Sequence, residues 1–389
     1  MKKIIITLIT VLALSMSAFA QGGTIGPLTW KIENNTLTIS GEGAMPDYVL
    51  DPFGITPWDA YRKSIYSVVI EFGVTRIGNL AFCDCGNLSS IIIPNSVTSI
   101  GSMMTFGGCE SLPSIAIPSS VTSLFGSAFG GCKSLTSIDV DSNNNNYASE
   151  DGILFNKNKS ILIYCPEGKT GDYVIPNSVT KIESSAFAGC ESLISITIPN
   201  SVIKIESATF GGCTSLTSIT LPNSIISIGN QSFGDCTSLP SIIIPGSVTK
   251  IESGAFFRCT NLTLITNFNP VPVAINSYVF YDVKIDECTL EVPINSVSAY
   301  KNANVWKEFN IVGVEVGVDE LPMTNYELRV YPNPTTGKVY IETESKIKVY
   351  NQQGQFLQET FGNQVDLSDY PKGVYLLQIN GAWRKEVKQ

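Results

Sequence analysis

The sequence contains no histidine among its 389 residues. Without an imidazole, the chain has no serine–histidine or cysteine–histidine nucleophile pair and no histidine-bearing metal site. Chemistry that needs only two carboxylates, as in glycosidases, survives this test. Its repeats, however, place mostly serine, threonine and asparagine on their outward positions. The sequence therefore predicts a protein that is not an enzyme and that has no catalytic residue and no cofactor.

Charged residues are also scarce, and basic clusters are missing. Only 15% of the residues are charged while 43% are hydrophobic, which is typical of a packed β-rich extracellular chain and excludes a disordered one. The formal net charge is −9, and it becomes −11 when Lys2 and Lys3 are removed. An acidic surface without basic clusters offers no electrostatic footprint for nucleic acid or anionic lipid. We therefore expect no nucleic-acid partner.

No apolar run is long enough to cross a bilayer as a helix. The run from Ile4 to Leu14 falls well short of the roughly 20 residues that a spanning helix needs. Lys2-Lys3 precede it, and Ala18-Phe19-Ala20 then places small residues at positions −3 and −1, which predicts a secretory signal peptide over residues 1–20. No cysteine lies near the cleavage site, which argues against a lipoprotein anchor. The mature chain is expected to begin at Gln21 and to have no transmembrane helix.

One pattern is written nearly four times between Ile175 and Leu262, at a constant interval of about 23 residues that we call the repeat period. Three ladders keep that period: Pro176, Pro199, Pro222 and Pro245; Phe187, Phe210, Phe233 and Phe256; Cys190, Cys213, Cys236 and Cys259. A unit of this size cannot bury its apolar side chains alone. Such units therefore stack into a solenoid that shares its core between neighbouring coils, and function is expected on a repeated surface.

Each unit contains a Leu-x-x-Ile-x-Ile/Leu-Pro segment, as in Leu193 to Pro199. Its alternation predicts a short strand with one buried face, and the proline ends the strand because it lacks an amide donor. A second short run, Val202 to Glu206, predicts the next edge of the coil. A helical turn or tight corner is expected at Ala/Thr/Ser-Phe and Gly-x-Cys, where an aromatic ring and a small thiol fill the interior of the coil.

This repeated pattern resembles the leucine-rich repeats of the BspA-like type, which occur in bacterial and protist surface proteins. The resemblance covers roughly residues 70–312 and implies a mainly β, leucine-rich-repeat solenoid. Residues 21–69 precede the repeat register and are predicted to form an N-terminal cap that covers an apolar coil end. Its GPLTWKI and TLTISGEGAMPDY segments also resemble the start of such proteins. Trp30 and Trp58 leave a carbohydrate-binding module open as an alternative.

One coil near residues 139–175 is enlarged, because the interval from Pro118 to Pro176 is more than twice the repeat period. Alternating runs on either side of Asn156-Lys157-Asn158-Lys159 predict a β-hairpin in this insertion. BspA-like proteins carry a similar NY-x-x-x-DG-x-L-x-x-K insertion, which implies an ordinary bulge in the stack. Oxygen ligands on its acidic lip leave calcium binding open as an alternative: Asp139, Asp141, Glu150 and Asp151.

Ten cysteines in a secreted chain would ordinarily suggest disulfides. Equivalent residues of stacked coils, however, lie about 4.8 Å apart with parallel side chains, whereas a disulfide brings the Cβ atoms to about 3.8 Å. The ladder cysteines are therefore predicted to be buried free thiols: Cys85, Cys109, Cys132, Cys190, Cys213, Cys236 and Cys259. Cys83, Cys165 and Cys288 lie outside the ladder, and their state stays open, including weak metal binding by Cys83-x-Cys85.

A closing cap with a short aromatic helix is expected around Tyr300 and Trp306, followed by a linker over residues 313–326. About six to nine short alternating runs in residues 327–389 predict a small antiparallel β-sandwich. Its YPNPTTGKVYI and VDLSDYPKGVYLLQI segments resemble the C-terminal sorting domain of type IX secretion cargo from Bacteroidota. The sorting motif falls on Tyr331, Pro332, Asn333, Pro334 and Gly337.

These features together predict a secreted or outer-surface protein that passes through the periplasm, engages the type IX secretion machinery and mediates protein–protein interaction or adhesion. BspA-like relatives are implicated in adhesion to host proteins and in coaggregation, and for this chain that is an analogy. A self-associating structural protein of the surface or matrix is the alternative. The partner is expected to be an extracellular protein or surface ligand.

The predicted docking face consists of the outward strand positions Thr197, Thr220 and Ile243, on an in-register parallel sheet. A competing surface is the charged second edge of the coils, where lysines and glutamates alternate around buried isoleucines: Lys181, Lys204, Lys250, Glu183, Glu206 and Glu252. Charged rows of both signs usually only keep a surface soluble, so the strand face is preferred.

Overall fold

The computed structural model describes residues 21–49, 56–314, 330–331, 338–351, 356–379 and 382–388. It divides into two units, residues 1–170 with 185–192 and residues 171–184 with 193–389. The short helix α1 (Val297–Asn302) is the one α-helix in the described ranges. No helix in these ranges is long and apolar enough to cross a membrane.

The first unit opens with an antiparallel meander, β1-β2-β3, which continues into parallel coils through β5 and β7. A second parallel sheet, β4-β6-β8, forms the other edge of these coils, and β9 pairs with β10. The strands are β1 (Gln21–Ile25), β2 (Leu28–Glu33), β3 (Thr36–Gly41), β4 (Gly43–Ala44), β5 (Ser67–Ile70), β6 (Val74–Ile77), β7 (Ser90–Ile92), β8 (Ser99–Ile100), β9 (Ser114–Ile117) and β10 (Ser137–Val140).

The enlarged coil forms an antiparallel meander of β11 (Tyr147–Glu150), β12 (Ile153–Asn156) and β13 (Ile161–Tyr164). The structure confirms the predicted hairpin, β12-β13, and adds β11, which the sequence did not indicate because Tyr-Ala-Ser-Glu has no apolar alternation. Buried Asn144 attaches the insertion to the preceding coil. Its Nδ2 donates to the carbonyl oxygens of Pro118 and Val121, each at 2.9 Å.

In the second unit the strands again alternate between two edges of each coil. One edge carries the sheets β14-β16-β18 and β20-β22-β23-β24, and the other carries β17-β19-β21. The strands are β14 (Thr170–Val174), β15 (Lys181–Ile182), β16 (Ser192–Thr197), β17 (Lys204–Ile205), β18 (Ser218–Thr220), β19 (Ser227–Ile228), β20 (Ser241–Ile244), β21 (Lys250–Ile251), β22 (Leu264–Asn267), β23 (Thr289–Pro293) and β24 (Asn310–Val314).

The phenylalanine ladder forms a stack of buried rings. In the second unit, the rings of Phe210, Phe233, Phe256 and Phe280 follow one another at centroid distances of 5.4 Å, and Trp306 closes the stack edge-on. In the first unit the stack runs from Trp58 through Phe82, Phe106 and Phe129 to Tyr164. Tyr164 therefore takes the ladder position in the enlarged coil, which the sequence did not reveal.

The cysteine ladder lies beside these rings, and all ten cysteines are buried and free, as predicted for the ladder members. Several thiols donate to the carbonyl oxygen of the ladder phenylalanine one coil earlier, as Cys259 Sγ does to Phe233 O at 3.0 Å and Cys236 Sγ to Phe210 O at 3.2 Å. Burial raises the pKa of the Cys132 thiol to about 12, so such thiols stay protonated. The corners that hold them are tight turns, and the corner before Phe129 contains a short 3-10 helix, Gly126–Ala128. Both agree with the expectation of a helical turn or a tight corner.

The C-terminal strands form an antiparallel sheet, β25-β26-β28-β29, with β27 along the other side of β26. Its small core includes Val339, Ile347 and Leu377. The strands are β25 (Val330–Tyr331), β26 (Lys338–Asn351), β27 (Phe356–Asp366), β28 (Gly373–Ile379) and β29 (Ala382–Lys388). The mainly β fold class is confirmed. Gly313 and Val314 belong to β24 rather than to the expected linker, whose remaining residues lie outside the described ranges.

Candidate functional site

The strand face of the second unit consists of the outward side chains of β16, β18, β20 and β22. Thr197 and Thr220 lie directly opposite each other in the parallel pair β16-β18, and both are exposed. Ile196 and Ile219, one residue earlier in each strand, point inward and are buried. The repeat period and the alternation of side chains along each strand thus place equivalent side chains side by side on the outside.

Ile243 is also exposed, but it does not continue the same hydrogen-bonded ladder. Its register partner is Thr266, which in turn faces Glu291, and no ladder joins β18 to β20 in the described structure. The predicted continuous in-register sheet is therefore wrong at this point. Sequence reasoning also missed Thr266, although it lies one repeat period after Ile243. It missed Glu291 because the interval from Thr266 to Glu291 is longer than the repeat period.

Proline explains the interruption. Thr217 N donates to Ile194 O, and Thr263 N donates to Pro240 O. The same hydrogen bond between β18 and β20 would need an amide N–H at residue 240. Proline has none and is therefore tolerated only where a ladder breaks. Pro113 occupies the equivalent position between β7 and β9 in the first unit, where the ladder is also interrupted. The two Leu-Pro-Ser segments could have revealed both breaks.

At the charged edge, ion pairs join a lysine in a short strand to the glutamate two residues later, just after the strand ends. Lys181 Nζ lies 2.9 Å from Glu183 Oε1, and Lys250 pairs with Glu252 in the same way. The Lys250 hydrogen bond holds the pKa of Glu252 below its usual range. In each pair the lysine and the glutamate neutralise each other at the solvent-exposed surface, where such pairs contribute little to the stability of the fold.

The acidic lip of the enlarged coil does not converge on a cation site. Asp139 accepts from Ser137, Asp141 Oδ1 accepts from Asn143 N at 2.8 Å, and Glu150 pairs with Lys159 at 2.6 Å. Asp139 and Asp141 do line an open cleft of about 450 Å³. Within the part of the chain that the structure describes, no three histidine, cysteine or acidic residues are grouped to hold a metal. These carboxylates therefore do not form the cluster on which the calcium alternative depended.

The two tryptophans of the N-terminal segment serve its core. Trp58 is 1% exposed, donates from Nε1 to Ala81 O at 3.0 Å and meets Trp30 edge-on at 6.0 Å. Trp30 is 9% exposed. Neither ring offers a free face to a sugar, so the carbohydrate-binding alternative that depended on them is wrong.

The processing and sorting residues are only partly described. Tyr331 lies in β25 opposite Tyr340 of β26. Pro332, Asn333, Pro334 and Gly337 lie outside the described residues, as do Ala18 and Ala20.

Comparison with known sequences identifies two families along the chain. The BspA type leucine rich repeat region matches residues 60–158 and 163–286 in six copies. The secretion system C-terminal sorting domain matches residues 329–389. No curated protein matches the sequence.

Several solved structures are similar. The pneumococcal vaccine antigen PcpA is 18% identical with a TM-score of 0.52, and the match covers 76% of this chain and 99% of that protein. A leucine-rich repeat protein from Eubacterium ventriosum is 24% identical over 75% of this chain and 93% of its own, with a TM-score of 0.49. A leucine rich cell surface protein from Faecalibacterium prausnitzii is 22% identical over 76% and 99%, with a TM-score of 0.43. The likeness to PcpA shows a shared fold.

The repeat family matches more than half of the chain, and the repeat register seen in the strands agrees with it. The sorting family covers the antiparallel strands that follow. The chain therefore belongs to the BspA-type leucine-rich repeat family and ends in a type IX secretion sorting domain, which marks it for export to the cell surface or beyond.

Proposed function

We propose that this surface protein binds an extracellular protein or surface ligand through the strand face, and that it thereby acts in adhesion. The observation that carries the proposal is the direct pairing of exposed Thr197 with exposed Thr220 above a buried isoleucine row. Each coil adds an equivalent set of hydroxyl and β-branched side chains to the same face. A flat face of this kind suits a partner that contacts many coils at once.

Affinity on such a face is expected to be distributed. A single hydroxyl contact contributes little net free energy, because the hydrogen bonds to water must be given up first. When one rigid scaffold makes several weak contacts, their binding free energies add, because the loss of freedom on association is not repeated for each contact. Ile243, with 53% of its surface exposed, supplies apolar area beside the threonines.

The test begins with the full chain immobilised and exposed to extracts of host matrix and of bacterial surfaces. Proteins that are retained are identified by mass spectrometry and purified, and their affinity is measured by surface plasmon resonance. The double variant Thr197→Lys, Thr220→Glu should then weaken binding at least about tenfold. Its two charges are opposite and adjacent, so cross-strand repulsion does not disturb the fold.

The matched control changes the charged edge instead, with Lys204→Thr and Glu206→Thr. We expect this variant to retain the affinity of the parent chain. If binding survives the strand-face variant and is lost with the edge variant, the docking face is the charged edge and the assignment to Thr197 and Thr220 is wrong.

A second candidate function is self-association into a surface or matrix layer. Exposed apolar residues on the same side of the coils favour it: Val174 is 68% exposed and Ile194 is 49% exposed. Size-exclusion chromatography over a range of protein concentrations separates the two functions. Assembly that grows with concentration and is lost in Ile194→Thr supports the structural role, whereas a constant monomer supports binding of a different partner.

A further inference from the structure

A cluster of three aromatic rings lies on the surface of the last repeat coils. Phe257, Tyr278 and Tyr281 contact one another at centroid distances of 5.3 to 5.4 Å. Tyr278 is 42% exposed and Tyr281 is 54% exposed. We call these three residues the aromatic corner, because they occupy the turn around the ladder phenylalanine of each coil.

The fold does not require aromatic residues at this corner. The residue after the ladder phenylalanine is Gly211 in one coil and Gly234 in the next, and these coils have the same turn. In the following two coils the same position is occupied by Phe257 and Tyr281. Exposed aromatic area that the core does not need indicates a binding surface.

The second residue after the ladder phenylalanine is charged in the last coils, and its backbone lies in the left-handed region. Gly212 holds it in the earlier coil, with φ +74°, and Asp235, Arg258 and Asp282 hold it afterwards with φ between +55° and +62°. Only glycine adopts this region without cost, and arginine is not among the residues that tolerate it well. Arg258 therefore keeps a conformation that an earlier coil gives to glycine, which points to a role for its side chain beyond the fold.

The charges at the corner are arranged around the rings. Arg258 lies over the Phe257 ring at 5.8 Å from its centroid, 3.0 Å from Asp235 and 3.8 Å from Asp282. Both carboxylates are exposed, at 41% and 60% of their side-chain surface. One guanidinium stands between two carboxylates, so the cluster carries one net negative charge, in a chain whose formal net charge is −9.

We propose that the aromatic corner is a second docking surface, and that its partner is a protein segment presenting a lysine or arginine beside apolar side chains. Tyrosine, phenylalanine and arginine are enriched at protein interfaces, and tyrosine and arginine are among the residues that dominate their binding energy. The tyrosine rings attract a cation through their faces, and Asp282 offers it a carboxylate. The surface uses a different part of the coil from the strand face, so it stands or fails independently of the proposed function.

The test uses a random peptide display library selected on the full chain. Selected peptides are synthesised, and their dissociation constants are measured by fluorescence anisotropy at low and raised salt. We expect the selected peptides to carry lysine or arginine next to apolar residues, and their binding to weaken as salt is raised.

The binding variant is Phe257→Gly, Tyr281→Gly, which restores the residues of the two preceding coils and should therefore fold. A second variant, Asp282→Asn, keeps the shape and removes one carboxylate. We expect the first to weaken peptide binding by roughly tenfold or more and the second to weaken it less and to reduce the salt dependence. The matched control is Phe72→Ser, which removes an aromatic ring that is 80% exposed elsewhere on the chain. Thermal unfolding of each variant confirms that it remains folded.

Any one of the following outcomes overturns the proposal. Selected peptides that lack basic residues, or that bind the double glycine variant as well as the parent chain, exclude the corner as a site for basic segments. Binding on a glycan array that disappears in the same variant assigns the corner to carbohydrate instead. Concentration-dependent self-association that disappears in the variant assigns it to a second copy of this chain.

Discussion

The repeat coils and the C-terminal sorting domain are both built from short strands, but their pairing follows opposite rules. In the coils, parallel ladders join residues that are one repeat period apart, as Ser195 to Ser218 and Ser227 to Lys250. In the sorting domain, antiparallel ladders join β26 to β27 and β28 to β29, neighbours along the chain. Repetition places equivalent side chains at many positions along the coils, whereas the sorting domain is one unrepeated unit.

Deleting residues 327–389 tests this separation and should have the largest effect. We expect the truncated protein to lose surface display completely and to accumulate in the periplasm, with its signal peptide cleaved after Ala20. Fractionation with immunoblotting and N-terminal sequencing measures both. In the parent chain the C-terminal domain should be removed on export. Unchanged surface display of the truncated protein would contradict the role given to the sorting domain.

Replacing Phe233 by alanine tests the stack that the repetition builds. Its ring is fully buried between Phe210 and Phe256, at 5.4 Å from each. Removing a buried aromatic side chain costs about 3–5 kcal/mol of unfolding free energy, measurable by urea denaturation. Phe72→Ala, at an exposed site, should change it by less than about 0.5 kcal/mol. Equal effects at the two sites would show that the ladder does not carry the stability.

Replacing Cys236 by alanine tests the thiol ladder with a smaller change. The substitution leaves a small cavity and removes the Sγ donor to Phe210 O, so we expect a loss of about 1–2 kcal/mol. Alkylation of the unfolded, non-reduced protein followed by mass spectrometry should label every ladder cysteine. A disulfide between Cys190 and Cys213 would defeat the prediction of parallel free thiols.

Pro240→Thr sharpens the account of the interrupted sheet. The new amide can donate to Thr217 O and extend the ladder from β18 to β20, a gain of about 0.5–1.5 kcal/mol. Loss of the proline makes the unfolded chain more flexible and offsets about 0.4–1 kcal/mol of that gain. Stability should therefore change by less than about 1 kcal/mol, while hydrogen exchange at residue 240 becomes slow. Fast exchange at this amide would show that proline is not the cause of the break.

Glu167→Gln should have the smallest effect, visible as a change in pH dependence. Burial raises the pKa of Glu167 above its usual 4.5, although Gly131 N donates to it at 2.7 Å. Because the folded pKa is the higher one, the fold favours the protonated carboxyl, and this stabilisation is lost as the pH rises through the folded value. Glutamine keeps an acceptor for Gly131 and should flatten that decline. Parallel pH profiles of the unfolding midpoint in both proteins would contradict the assignment.

The coils were more predictable from sequence than the sorting domain, for a physical reason. Residues that recur at a constant interval must pack on their own copies, so the strand register and the buried phenylalanines follow from the spacing. The sorting domain has no such repeat, and its strands were expected partly by resemblance. Short alternating runs were predicted in this domain, but residues 338–351 form the single long strand β26, with a register shift between Tyr340 and Ser345. Strands β27 and β29 were not identified.

The sequence by itself determined the period, the inward rows and the free state of the ladder cysteines, because each depends only on which residues recur at equal spacing. The tertiary structure alone decided which unrepeated side chains meet. Tyr278 contacts Phe257 although the interval between them does not match the repeat period. Glu150, a member of the acidic lip, pairs with Lys159. A period fixes how the backbone stacks, but the neighbours of a side chain that occurs once depend on the turn geometry and on the space left by the coils beside it.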